Sequence, residues 1–143
     1  MSGQLQIGSR VHLSGHVAIL GGGRIEIRDF AAVSHGAKIL SSSDSFSAGC
    51  IAGPMVPEEF FRLINEPVFI DRHAVVGVNA VVLPGATTGE GATVGALSQV
   101  KSLVEPWTVN AVVRSRVISH YDRSEMLAFE QLCTDRVMAR DHP

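Results

Sequence analysis

Hydrophobic residues recur along this chain at every sixth position. From Ile70 onward the first place of each six is Ile70, Val76, Val82, Thr88, Val94 and Val100, and the fifth is Ala74, Ala80, Ala86, Ala92 and Ser98. Period two would describe a half-buried strand and period 3.6 a helix. Period six fits neither, but it fits a chain that turns a corner every six residues, each side of a triangular prism being one short strand. The branched residue then points into the prism and the small residue fills the corner. Gly77, Gly89 and Gly95 are expected to serve the turns, where a Cβ is costly. Stacked coils should pair their strands as parallel sheets at about 4.8 Å per layer.

The first third of the chain carries the same period with one slip. Ile7, Leu13, Ile19 and Ile25 lie six apart, with Val11 and Val17 at the small place. A two-residue slip falls in or just after Gly21-Gly22-Gly23, and the repeat resumes at Ile27, Val33 and Ile39 with Ala31 and Ala37. The reading is a single all-β domain over 1–143, with prism coils at about 7–40 and 68–105. A loop insert of about 41–67 interrupts them, and final strands and a helix occupy about 108–139. A long insert in a compact domain is usually functional. Its Phe60, Phe61, Leu63 and Ile64 are expected to pack, against a neighbouring subunit if not on the prism itself. Asp122 and Glu125 have capping-box spacing, and Leu127, Phe129, Leu132, Val137 and Met138 give an amphipathic helix that would close the prism end.

Composition agrees. There are 143 residues, 18 valines and 14 glycines, but only two lysines, Lys38 and Lys101, a poor recipe for helix and a good one for short strands. A net charge of −2 with no basic block argues against a nucleic-acid surface. No apolar run is long enough for a membrane-spanning helix. Cys50 and Cys133 form no paired motif and no signal-peptide pattern opens the chain, so a cytoplasmic location is expected.

The segment Pro67-Val-Phe-Ile-Asp-Arg-His-Ala-Val-Val-Gly-Val-Asn-Ala-Val-Val-Leu-Pro-Gly-Ala-Thr-Thr-Gly-Glu-Gly-Ala-Thr-Val-Gly-Ala-Leu-Ser-Gln-Val100 resembles the hexapeptide-repeat acyltransferases. These are left-handed parallel β-helices, and the resemblance extends over roughly 25–120. The nearest subgroup is the galactoside, maltose and surface-polysaccharide O-acetyltransferases with the related amino-sugar N-acetyltransferases. The resemblance implies a homotrimer, acetyl-CoA as co-substrate in a groove between subunits, and a sugar or nucleotide-sugar acceptor near the insert. It implies that Gly77, Val78, Ala96 and Ser98 border the pantetheine arm, Lys101 the nucleotide end of CoA, and Arg116 the CoA phosphates. The chain departs from the family at Ala111-Val-Val-Arg-Ser-Arg116, which lacks the usual Gly and Pro, and at Val75, where an aromatic is common.

Family members place a catalytic histidine after the strand matching Ala37-Lys-Ile-Leu40. Here Ser41-Ser-Ser-Asp44 stands instead, so Asp44 is one candidate base. His35, in Val33-Ser-His-Gly36, is the other and has the better intrinsic pKa. An amine acceptor would need a strong base less, since its neutral form already carries the lone pair. His12, His16 and His73 raise a zinc alternative of the carbonic-anhydrase kind, but His12 and His16 fall at different corner positions, and no metal is assigned. The expected function is acetyl transfer to a hydroxyl or amino group of a sugar or surface-polysaccharide precursor. The alternative is a non-catalytic or degenerate β-helix scaffold.

Overall fold

In the computed structural model the described residues are 3–45, 53, 55, 57–111, 116–120 and 122–141. The chain winds in coils of three short strands. The first coil is β1 (Leu5–Ile7), β2 (His12–Leu13) and β3 (Ala18–Leu20); the second is β4 (Ile25–Ile27), β5 (Ala32–Val33) and β6 (Lys38–Leu40). After the insert strands β7 (Ser42–Asp44) and β8 (Leu63–Asn65) come β9 (Val68–Ile70), β10 (Val75–Val76) and β11 (Val81–Val82). They are followed by β12 (Thr87–Thr88), β13 (Thr93–Val94) and β14 (Gln99–Val100), then β15 (Leu103–Val104), β16 (Thr108–Ala111), β17 (Arg116–His120) and α1 (Arg123–Asp141).

Three sheets form the faces of the prism. Their orders are β1-β4-β9-β12-β15, β17-β16-β13-β10-β5-β2 and β14-β11-β6-β3. All pairings in them are parallel except β16 with β17, which run antiparallel. The fold is thus the parallel β-helix that the six-residue period predicts. Ile27, Val33, Ile39, Ile70, Val76, Val82 and Val94 are fully buried, and so are the small-place residues Ala31, Ala37, Ala74, Ala80, Ala86, Ala92 and Ser98. The slip after Ile19 is two extra residues in the corner between β3 and β4: Ile27 follows Ile19 by eight residues where Thr88 follows Val82 by six, and Ile25 is the second inward residue of β4.

The glycines act differently from expectation. The left-handed corner conformation is held mainly by other residues: Arg10, His16, Phe30, His73, Asn79, Leu97 and Trp107 have φ between 54° and 63°. Gly77 is needed instead because coils touch there. A Cβ on it would lie 2.6 Å from the Ala96 nitrogen and the Val94 oxygen, both backbone atoms that cannot step aside.

The corner residues of successive coils stack. At the corner between the first and second sheets, Arg10 lies over the Phe30 ring at 5.5 Å, and Phe30 stacks on His73 at 5.0 Å. Trp107 follows at 6.4 Å from His73, with Arg123 of α1 over its indole at 5.8 Å. Glu130 of α1 reaches this ladder, meeting His73 Nε2 at 2.5 Å and pairing with Arg72. The helix start is held by the Ser124 N–H donating to Asp122 Oδ1 at 2.7 Å. Of the helix's apolar residues, Leu132 and Met138 are more than half exposed, while Leu127 and Val137 are half-buried. Its described attachment to the prism is polar and aromatic.

Two measurements follow from this packing. Gly77→Ala should lower unfolding free energy by roughly 1–3 kcal/mol in urea titration, while Val78→Ala next to it, on a 44% exposed side chain, should change it by less than about 0.5 kcal/mol. His73 is held below its usual 6.5 chiefly by burial, with Arg72 adding to the effect and Glu90 opposing it. Its neutral ring can donate Nε2–H to Glu130. As pH falls below about 6.5 the unfolded chain takes up a proton that the folded ring resists, so stability should drop over that range. His73→Gln should flatten this part of a melting-temperature profile.

Candidate active site

The residues matched to the pantetheine arm gather at the corner between the second and third sheets. Gly77 and Val78 lie in one turn, Gly95, Ala96 and Leu97 in the turn one coil on, and the Leu97 N–H donates to the Val78 carbonyl at 2.9 Å. Val78 and Leu97 leave 44% and 69% of their surface open, an exposed apolar edge. His35 joins the same edge one coil earlier. Its carbonyl accepts the Asn79 N–H at 3.0 Å, and its exposed ring meets His16 edge-on at 5.1 Å. Ser98 does not join it. Its side chain is buried, its Oγ has no hydrogen-bond partner among the described residues, and its carbonyl accepts the Val81 N–H inside the sheet.

Asp44 and Lys101 meet at the next corner, between the third and first sheets. The chain leaves the prism there after β6, runs out as β7 and returns as antiparallel β8, with Asp44 opposite Leu63. The Glu66 N–H donates to the Ser41 carbonyl at 2.9 Å and so ties the foot of this hairpin. Under the hairpin lies a cavity of about 480 Å³, bordered by Asp44, Ile64, Glu66, Leu83, Gln99 and Lys101. Glu66 was not picked out by sequence reasoning. Its carboxylate lies over Gly85, whose φ of +82° and missing Cβ leave the space it occupies. Two carboxylates can hold an ammonium and take its proton, while the Lys101 ammonium suits an anionic group. The hairpin's outer apolar residues Phe60, Leu63 and Ile64 stay exposed at 48%, 52% and 37%, so the prism of this copy does not cover them.

A larger cavity of about 600 Å³ beside β4 is lined by charges that pair with each other. Arg28 bonds Glu26 at 2.9 Å and Asp71 at 3.0 Å, and its hydrogen bond holds the Glu26 carboxyl below its usual range. Arg116 opens β17 opposite Ala111; its side chain and the altered stretch 112–115 lie outside the described residues. The zinc alternative finds no constellation: His16 and His73 sit on different corners, and no three His, Cys, Asp or Glu side chains among the described residues are grouped to hold a metal. No helix among the described residues is long and apolar enough to cross a membrane.

No protein-family model matches the chain. It is 35% identical over 125 residues to a dTDP-4-amino-4,6-dideoxy-D-glucose acyltransferase of Escherichia coli, an alignment covering 87% of this chain and 64% of that protein. It is 32% identical over 77 residues to the putative lipopolysaccharide biosynthesis O-acetyl transferase WbbJ of Escherichia coli K12, covering 54% of this chain and 39% of that one. The chain therefore spans less than two thirds of the length of each curated relative. Among solved structures, AntD, an N-acyltransferase from Bacillus cereus in complex with dTDP and 3-hydroxybutyryl-CoA, superposes with a TM-score of 0.86 at 29% identity, over 94% of this chain and 72% of that one. The repeat, the coiled prism and these similarities together give the chain the hexapeptide-repeat parallel β-helix fold, and make it similar to sugar acyltransferases built on that fold.

Proposed function

We propose that this protein transfers an acyl group from acetyl-CoA, or a related acyl-CoA, to the amino group of a nucleotide-linked amino sugar. The observation that carries this reading is the similarity to AntD over 94% of the chain, since AntD has been solved with dTDP-4-amino-4,6-dideoxyglucose and coenzyme A. The cavity under the hairpin supports an amine over a hydroxyl, because Asp44 and Glu66 both border it. It favours an enzyme over an inert scaffold for the same reason.

The chemistry follows from the charges. A sugar amine enters largely as its ammonium form and must lose a proton before it can attack. Asp44 accepts that proton, and the freed nitrogen adds to the thioester carbonyl. The C–N bond forms, the C–S bond breaks, and the second proton that the nitrogen gives up is taken by the departing thiolate to give free CoA. The exposed edge of His35, Gly77, Val78 and Ala96 would carry the pantetheine arm, with Lys101 and Arg116 toward the nucleotide end. Ser98 would serve only as a corner filler.

These two clusters lie on opposite sides of the third sheet, so one prism carries both but keeps them apart. A homotrimer that seats the His35 corner of one copy beside the hairpin of the next would unite them, and would cover Phe60, Leu63 and Ile64. A further pairing supports this arrangement. AntD has been solved with substitutions at a serine and an aspartate ten positions apart, and Ser34 with Asp44 is the one serine–aspartate pair at that spacing in this sequence. Ser34 lies on the His35 corner, where its N–H donates to the Val76 carbonyl at 2.8 Å. The supply of acyl-CoA and nucleotide sugars puts the reaction in the cytoplasm.

The test is thiol release on mixing the protein with acetyl-CoA and a panel of nucleotide-linked amino and hydroxyl sugars. Release is expected with an amino sugar; none with any acceptor, together with no CoA binding, would sink the proposal. Asp44→Asn should lower kcat by about 10²-fold or more with CoA affinity unchanged. His35→Ala should weaken CoA binding several-fold and leave the kcat pH profile in place. Loss of kcat in His35→Ala alone would instead make the imidazole the base.

A further inference from the structure

Charge is spread unevenly around the prism. All 14 Asp and Glu residues of this sequence lie outside 11–20, 31–40, 75–83 and 93–101. Those stretches build β2, β5, β10 and β13 of the second sheet, the whole third sheet and the corner between the two. They carry His12, His16, His35, Lys38 and Lys101. A chain of net charge −2 thus has one corner, with the faces beside it, that holds basic side chains and no carboxylate. Lys101 shares the hairpin cavity with Asp44 and Glu66. Lys38 has no such counterpart. Its register neighbours on the third sheet are Ala18 and Val81, and its ammonium reaches back to donate to the Gly36 carbonyl at 3.2 Å.

Gly36 is where the polar groups of this corner converge. It holds φ +70° at the place that His16 takes one coil earlier and Asn79 one coil later. A Cβ on Gly36 would collide with Asn79 Oδ1, so the Asn79 carboxamide sits in the space that this glycine leaves. Gly15 makes room in the same way: a Cβ there would stand 3.2 Å from His35 Nδ1. The His35 ring leans back over it and meets His16 at 5.1 Å. His16, His35, Lys38 and Asn79 are all exposed. Together they offer an ammonium, a carboxamide and two imidazoles, each able to donate N–H to an anionic oxygen, on a backbone fixed by the coils.

We propose that His16, His35, Lys38 and Asn79 form a binding site for a diphosphate ester, and that its ligand is the diphosphate of the nucleotide-linked acceptor. The site stands on the charge pattern and the corner geometry; the choice of ligand rests on the function proposed above. Coenzyme A also carries a diphosphate. Laid along Val78 and Ala96 toward Lys101 and Arg116, it leads that group to later coils. Lys38 lies instead on β6, the strand from which the Asp44 hairpin departs. Where threefold-related prisms stand side by side, equal coils share one height, so the diphosphate at this corner is level with the neighbouring hairpin. The sugar then bridges the two.

Titration calorimetry with inorganic pyrophosphate, dTDP and coenzyme A on wild type, Lys38→Gln, His16→Gln and Lys101→Gln tests both parts. Lys38→Gln should weaken pyrophosphate and dTDP by about tenfold or more and leave coenzyme A unchanged. His16→Gln should act in the same direction, and Lys101→Gln should spare pyrophosphate. Pyrophosphate and dTDP affinities unchanged in Lys38→Gln would overturn the site. Their loss in Lys101→Gln alone would do the same and move the anion to the hairpin corner. A lower oligomer mass of Lys38→Gln in light scattering, with anion affinity intact, would give the lysine to a subunit contact and also defeat the proposal. Weakening of coenzyme A and pyrophosphate but not dTDP would uphold the site and overturn the acceptor as its ligand. Pyrophosphate binding that depends on Lys38, alongside no thiol release with any nucleotide-linked sugar, would uphold the site and sink the proposed reaction instead.

Discussion

Every feature of this molecule depends on how closely one coil can lie on the next. Parallel strands must sit about 4.8 Å apart, and the chain must turn through a corner within a few residues to keep that spacing. Most corners therefore hold a residue at positive φ, and seven of these residues are not glycine. An L-residue in that conformation costs about 1–2 kcal/mol. The cost is offset by the buried ladder of Ile, Val and Ala inside the prism, each of which removes apolar surface from water.

The same constraint determines where chemistry can reside. A side chain at a left-handed corner points outward and lies above its counterpart in the previous coil, so each corner becomes a column of exposed groups. One column is Arg10, Phe30, His73 and Trp107, and it anchors the C-terminal helix through Glu130. The next carries His16, Asn79 and Leu97 with His35 beside them. At the third corner glycine takes the strained place, and the insert folds over it with Asp44 and Glu66. A rigid prism thus holds three differently furnished edges at fixed separations.

The C-terminal end of this architecture is as informative as its core. The C-terminal end turns polar inside, with Thr108 and Asn110 buried and hydrogen-bonded to each other, and closes with an antiparallel strand and a helix. The apolar outer face of the hairpin, by contrast, stays exposed within one copy.

The period of six determined the architecture before any contact was known, because burial alternates with the corner and leaves Ile, Val and Ala at fixed intervals. Even the slip at Gly21–Gly23 was legible, since the repeat resumes at Ile27, eight residues after Ile19 instead of six. The role of the glycines was not: whether Gly77 bends the chain or admits its neighbour depends on the distance between coils, which a linear pattern does not contain. The site shows the same division. Asp44 and Lys101 lie more than fifty residues apart in sequence, and only the hairpin's return path brings them to one cavity and adds Glu66. The sequence by itself determined the coil, because periodic burial is a local property of the chain. The tertiary structure alone decided which polar residues meet, because that depends on where an aperiodic insert crosses back over the prism.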